Sequence, residues 1–283
     1  MPFSPPLRLV SRCPLVFVAE DAVSAEDCEL LIATAKRRPP QVVTSIHGEA
    51  GGFSSQTTMH NYQLPASMST RAEAEATAHD RFCRLVERIL CCEFASSETR
   101  TVRWTEPSAS MGVSLGLHVD TNLKPRRFAT ALLYLNDVPH GGETVFPLCG
   151  ASPDGELALA ARLLLDGGSH HTRKPSADLE PQAEMLRAAA LRTLSRAATA
   201  AREDEAAAAQ DGGGIAVRPR RGRVVFFFSR LNDGSVDPMS WHGGADCLSG
   251  DGKWTLQLFK ELPEGCAEDY VRQRRAALVQ AFA

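Results

Sequence analysis

From Arg100 onward the chain reads as a succession of short strands separated by glycine, proline and aspartate turns. This change of period constrains the fold more than any other feature. The strand candidates are TRTVRW, GLHV, ATALLYLN and ETVF, followed later by GRVVFFFS and KWTLQLFKE. Short strands closed by turn residues build sandwiches, barrels and jelly rolls. One stretch interrupts the series. Residues 151–214 are rich in Ala, Arg and Glu, include LRAAALRTLSRAATAAREDEAAAAQ, and end in a glycine run. Alanine favours helix, but its methyl groups bury little area. This insert therefore reads as a helical or partly disordered excursion, one that a short linker is expected to replace without loss of the fold.

Ahead of the strands the period is helical. Residues 14–38 read as strand, turn and helix, with Leu15–Ala19 as a first strand. Ser24 is the expected N-cap, Asp27 occupies the third helical position, and Leu30, Leu31 and Ala35 form an apolar stripe. Gln41 to Tyr62 reads as strands with loops. Phe82, Leu85, Val86, Ile89 and Leu90 recur at helical spacing within Glu75–Leu90. Two helices ahead of a strand-rich body make an α+β chain. The expected organisation is one domain over 1–283, with 1–99 as N-terminal support, 100–150 and 215–262 as the β core, 151–214 inserted, and 263–283 as a C-terminal helix.

A hydrophobic fraction of 43% over 283 residues supports a sizeable core. The 31 basic and 34 acidic residues give a formal charge of −3, which offers no electrostatic case for nucleic acid or an anionic membrane as partner. No apolar run approaches the roughly 18 residues of a membrane span. Leu15–Ala19 is too short for a signal h-region, so the expectation is a soluble chain, with the cytoplasm favoured. The eight cysteines, Cys13, Cys28, Cys83, Cys91, Cys92, Cys149, Cys247 and Cys266, are scattered without a Cys-x-x-Cys pair, and are expected as free, mostly buried thiols.

His118 and Asp120 stand one residue apart in GLHVD. On a strand, residues i and i+2 face the same way, so an imidazole and a carboxylate are presented together. These are two thirds of the 2-His-1-carboxylate set that holds Fe(II) on one face and leaves positions open. A surface histidine beside a solvated acid would give the same triplet. His242, after the apolar strand Val224–Phe228, is the candidate for the second imidazole. His47, His60 and His79 precede the strands, His140 lies in a turn, and His170 and His171 lie in the insert. Lys253 opens a later strand in GDGKW; a buried lysine there needs an anion, with the Thr144 hydroxyl as a second donor.

At this point HVD, RRFATALLYLNDVPHGGETVFP, GRVVFFFSRLNDGSVDPMSWHGG and GDGKWTLQLFKE resemble the catalytic domain of prolyl 4-hydroxylases. PLVFVAEDAVSAEDCELLIATAKR resembles the leading strand and helix of the same family, so the resemblance covers most of the chain outside 151–214. It implies a double-stranded β-helix (a cupin-like jelly roll) and an oxidoreductase dependent on Fe(2+), 2-oxoglutarate and O2, with ascorbate expected to rescue oxidised iron. It also implies His118, Asp120 and His242 as metal ligands, and Lys253, assisted by Thr144, as the site of the distal carboxylate of 2-oxoglutarate. The implied partner is a proline-containing peptide or protein, hydroxylated at C4 with succinate and CO2 as co-products. Trp241 beside His242 and Trp254 beside Lys253 are candidates for an aromatic groove. The family's Tyr…Gly-Gln-x-Tyr stretch before His-x-Asp reads here as RWTEPSASMGVSLGLH, with no tyrosine, and Trp104 stands where a tyrosine is expected.

Two other readings remain beside this one. The same chemistry would serve a different side chain or a small molecule. A jelly-roll binding module with a vestigial metal site would need no chemistry at all, and the intact set His118, Asp120, His242 and Lys253 argues against it. Asp120, being a carboxylate, also argues against a halogenase, which leaves that position to chloride.

Overall fold

The structure, a computed structural model, describes residues 6–48, 54–64, 77–92, 95, 98–108, 111–113, 116–121, 123–173, 175–199, 213–248, 250–263 and 269–281. Two antiparallel sheets face each other. The large one has eight strands: β1 (Leu7–Arg12), β2 (Leu15–Ala19), β3 (Gln41–Gly48), β4 (Ser54–Gln63), β5 (Arg100–Thr105), β6 (Arg127–Tyr134), β9 (Val224–Phe228) and β11 (Lys253–Glu261). They run in the order β1-β2-β9-β6-β11-β5-β4-β3. The small sheet comprises β7 (Thr144–Phe146), β8 (Ile215–Val217) and β10 (Gly243–Gly244), in the order β10-β7-β8. Every pairing between these strands is antiparallel. The central neighbours β2-β9, β9-β6, β6-β11 and β11-β5 are far apart in sequence, as a double-stranded β-helix requires, whereas β1-β2 and β3-β4 are consecutive strands.

The large sheet reads as continuous apolar runs because both its faces are covered. Strand alternation divides those runs cleanly. Leu15 and Phe17 of β2, Leu133 of β6, and Phe226 and Phe228 of β9 turn to one face. There they meet α1 (Ala25–Lys36), α2 (Ala78–Leu90) and α5 (Tyr270–Ala281) through Leu31, Phe82, Val86, Ile89, Val271 and Leu278. The intervening Val16, Val18, Leu132, Val225 and Phe227 face the small sheet and meet Phe146, Ile215 and Val217. Each such side chain stabilises the fold by roughly 1.5–3 kcal/mol. Ser24 caps α1 by accepting from the Asp27 amide at 3.1 Å. Thr77 and Asp80 form a reciprocal capping box on α2. Leu30 departs from the expected stripe and is exposed; Cys28 takes its place in the buried face. β1, which the sequence reading did not assign, hairpins onto β2.

The insert differs most from expectation. Its described part is helical, as expected, but it is packed into the core and is not a surface excursion. It contributes α3 (Glu156–Asp166) and α4 (Glu180–Thr199), which pack together. Ala158, Ala161, Leu164, Ala183, Leu186, Ala190 and Leu194 are buried in one cluster with Leu117, Val119, Val145, Leu148 and Trp241. Small alanine faces let the helices approach closely, and interspersed leucines supply the area that methyl groups alone do not. Residues 200–212 of the insert lie outside the described residues. The seven described cysteines are free, and five of them are buried; Cys266 lies outside the described residues. Among the described residues, no helix is long and apolar enough to cross a membrane.

Candidate metal and cosubstrate site

His118 lies between two partner segments. It forms an antiparallel bridge with His242, with His118 N donating to His242 O at 2.8 Å and His242 N to His118 O at 3.0 Å. On its other side it bridges His171, from the insert, while Val119 N donates to His170 O and Thr172 N to Leu117 O. Paired backbones therefore bring the first and second imidazoles together across the long sequence gap. His118, Asp120 and His242 each offer one ligand atom, all within 4.8 Å of one another. His118 Nε2 is 3.4 Å from Asp120 Oδ1, and His242 Nε2 is 3.4 Å from Asp120 Oδ2.

The groups behind the cluster set its orientation. His242 Nδ1 lies 2.9 Å from Ser240 O and His118 Nδ1 3.4 Å from Gly116 O, contacts that orient both rings with Nε2 turned towards Asp120. Thr130 Oγ1 donates to Asp120 Oδ2 at 2.7 Å. Burial and the neighbouring His242 push the His118 imidazole below its usual range, against the pull of Asp120, so it is held neutral as a metal requires. Burial pushes Asp120 up, but the two imidazoles outweigh it and hold the carboxyl well below the usual range. Two imidazoles and one carboxylate suit a divalent transition metal, and their spacing fits a single ion.

The same three residues line a cavity between the sheets that also takes in Thr130, Leu132, Thr144, Phe227, Lys253, Thr255, Gln257, Met59, Thr105 and Arg103. Lys253 is buried there, donating to Gly142 O at 3.0 Å and approaching Ala245 O at 3.5 Å. The glycine pair at 141–142 makes this possible. Both residues sit at positive φ, and a Cβ on Gly141 would stand 2.2 Å from Asp246 O. Burial pushes the Lys253 ammonium down to about 8. Thr144 Oγ1 lies 2.6 Å from the Tyr134 hydroxyl, whose one proton reaches either that oxygen or Val217 O at 3.1 Å; turned to Thr144, it leaves the Thr144 proton for a ligand. A buried ammonium beside a hydroxyl pair, with no carboxylate bonded to the ammonium among the described residues, fits a carboxylate ligand.

The aromatic candidates fall elsewhere. Trp241 is fully buried among the insert helices and the small sheet, so it lines no groove. Trp254 turns to the helix-covered face because Lys253, Thr255 and Gln257 take the cavity face of β11; it stacks at 5.8 Å on Tyr62 and 6.0 Å on Trp104. Trp104 leaves the cavity by the same alternation, its indole donating to Asp251 O at 2.8 Å. The cavity face of β5 carries Arg103 and Thr105 instead. Sequence reasoning missed Arg103, Thr130, Tyr134 and His171. The first three were legible as alternate residues of TRTVRW and ATALLYLN. The stacking of His171 on His118, with ring centroids 5.5 Å apart, had no sequence signal.

No family model matches the chain. It is similar to Prolyl 4-hydroxylase 1 of Arabidopsis thaliana, at 26% identity over 251 residues, covering 88% of this chain and 69% of that protein. Probable prolyl 4-hydroxylase 3 of the same plant is 24% identical over 264 residues, 91% of this chain and 72% of its own length. Probable prolyl 4-hydroxylase 4 is 32% identical over 129 residues, 46% of this chain and 28% of its own length. Among solved structures, a viral collagen prolyl hydroxylase from Paramecium Bursaria Chlorella virus-1 in complex with 2-oxoglutarate aligns at TM-score 0.43 and 13% identity, covering 88% of this chain and 96% of that one. A 2OG-Fe(II) oxygenase family oxidoreductase from Burkholderia pseudomallei aligns at TM-score 0.43 and 12% identity, covering 89% of each chain. The prolyl 4-hydroxylase likeness thus extends over most of the chain.

Proposed function

We propose that this chain is an Fe(II)- and 2-oxoglutarate-dependent dioxygenase that hydroxylates prolyl residues at C4 within a flexible proline-rich peptide. The observation that carries the reading is that His118, Asp120, His242, Lys253 and Thr144 line one cavity. The overall conversion is balanced. Substrate C–H, O2 and 2-oxoglutarate give substrate C–OH, succinate and CO2. Bound Fe(II) supplies the activation of O2 and the delivery of one oxygen atom to an unactivated C–H bond.

The protein's share is positioning. His118, Asp120 and His242 would hold the metal, and Thr130 and the Ser240 carbonyl keep two of those side chains aimed. Lys253 takes the distal carboxylate of 2-oxoglutarate by a charge-assisted bond, and Thr144, oriented by Tyr134, donates to the same group. Phe227 and Leu132 exclude water around them. No side chain has to act as a general base, which agrees with a cavity whose charged lining is one carboxylate and two cations. Ascorbate is expected to sustain turnover by reducing iron. A polyproline II segment suits such a site, since it is extended beforehand and costs little to order.

The deciding experiment incubates the protein with Fe(II), 2-oxoglutarate and proline-rich peptides, alongside peptides with alanine at each proline. Mass spectrometry should find one added oxygen only in the proline series. Equal addition to both series would remove the prolyl substrate, and succinate formation without iron would remove the enzyme class.

A further inference from the structure

The cavity holds a second cation that the reading above does not use. Arg103 projects from β5 beside Asn61 on β4 and Thr255 on β11. Its Nε donates to Asn61 Oδ1 at 2.8 Å, which fixes the guanidinium plane. Among the described residues its two terminal nitrogens have no hydrogen-bonding or ionic partner. The side chain is partly buried, and its charge is felt at both Asp120 and Lys253. A guanidinium held by one nitrogen, with its donor fork turned into a cavity, is shaped for a carboxylate.

A charge count points to whose carboxylate it takes. The charged residues lining the cavity are Arg103, Lys253 and Asp120, which sum to one positive charge. Divalent iron and dianionic 2-oxoglutarate cancel each other. Both carboxylates of 2-oxoglutarate are already committed, one to Lys253 and one to the metal, so one positive charge is left facing the space for substrate. Glu143 and Asp246 act on Lys253 from outside this cavity. Glu143 lines a neighbouring groove, and Asp246 Oδ1 accepts from Thr57. Neither neutralises Arg103. A partly buried guanidinium whose terminal nitrogens lack a bonded anion is costly to leave so.

We propose that Arg103 anchors a carboxylate of the primary substrate, so that the enzyme selects a monoanionic group next to the residue it hydroxylates. The inference rests on the iron and 2-oxoglutarate reading of the cavity. It narrows the substrate from any prolyl peptide to one with a carboxylate near the proline, supplied by the chain terminus or by an acidic side chain.

The test measures binding by calorimetry with the full chain, Mn(II) and 2-oxoglutarate in oxygen-free buffer. Four probes differ pairwise in charge alone: N-acetylproline against N-acetylprolinamide, and N-acetyl-Pro-Glu-amide against N-acetyl-Pro-Gln-amide. At least one acid should bind about tenfold tighter than its neutral partner, as a hydrogen bond to a charged group is worth; which pair responds identifies the source of the carboxylate. In Arg103→Gln the preference should vanish, in Arg103→Lys part of it should return, and 2-oxoglutarate affinity should stay within about twofold. Equal binding of acid and amide, an acid preference that survives Arg103→Gln, or no binding of any acid at millimolar concentration overturns the proposal. A fall in 2-oxoglutarate affinity also overturns it, by assigning Arg103 to the cosubstrate. Alanine analogues of all four probes separate the two readings. An acid preference shared by the alanine series supports the anchor and counts against proline, whereas proline binding without regard to charge does the reverse.

Discussion

Replacing Lys253 by methionine should raise the stability of the ligand-free protein while removing 2-oxoglutarate affinity. The ammonium is buried and, among the described residues, bonded only to carbonyls, Gly142 O at 3.0 Å and Ala245 O at 3.5 Å. Its fall from 10.5 to about 8 corresponds to about 3 kcal/mol of disfavour for the charged form, at about 1.4 kcal/mol per pH unit. The unfolded chain binds this proton more tightly than the folded one. The cost is therefore fully present below about pH 8 and is relieved as pH rises from about 8 towards 10.5. Methionine keeps much of the stem and removes the charge, so a gain of about 1–3 kcal/mol is expected at pH 7 after allowance for lost carbonyl bonds. The same ammonium is what a bound dianion needs, and breaking that buried pair should cost about 3–5 kcal/mol of 2-oxoglutarate affinity. In the native protein that affinity should fall about tenfold from pH 7 to pH 9, because the cation is lost above about 8, and in Lys253→Met it should not vary. Urea titration at constant slope and calorimetry of 2-oxoglutarate check the two halves. A destabilised variant with unchanged 2-oxoglutarate affinity would place Lys253 outside the site and refute the reasoning.

Three further outcomes are expected. His118→Ala, Asp120→Ala and His242→Ala should each abolish 2-oxoglutarate consumption while circular dichroism stays native; near-normal consumption by any one would remove that residue from the ligand set. Thr130→Val removes the 2.7 Å bond to Asp120 Oδ2 and should weaken metal binding roughly tenfold or more, read by chelator competition, with unchanged binding assigning Thr130 to packing alone. Replacing residues 155–211 by a Gly-Ser linker should give insoluble or strongly destabilised protein, because it uncovers Leu117, Val119, Val145 and Trp241; a soluble variant with unaltered melting temperature would return the insert to the status of a surface excursion.

Much of the site is legible in the sequence. The pair His118 and Asp120 follows from the period of a strand, and Lys253 and Thr144 from the neighbouring motifs, because local spacing fixes which side chains share a face. The β-rich body, the capped helix at Ser24 and the apolar strands at 128–134 and 224–228 follow from the same local physics. What the sequence by itself could not determine was set by contacts between distant segments. The approach of His242 to His118 is a backbone bridge across the whole insert. The insert is core because its alanine faces meet the small sheet; composition describes a helix's surface but not what covers it. Trp241 and Trp254 look like groove residues when judged by their neighbours in the chain, yet strand alternation and burial turn both into core. Arg103 shows the reverse. It reads as an ordinary strand arginine until β5 is laid between β4 and β11, which turns its guanidinium into the cavity and leaves its terminal nitrogens without a bonded partner among the described residues. Side-chain periodicity is a local property and survives in one dimension, whereas burial and charge pairing depend on which segments meet, and only the assembled sheets decide that.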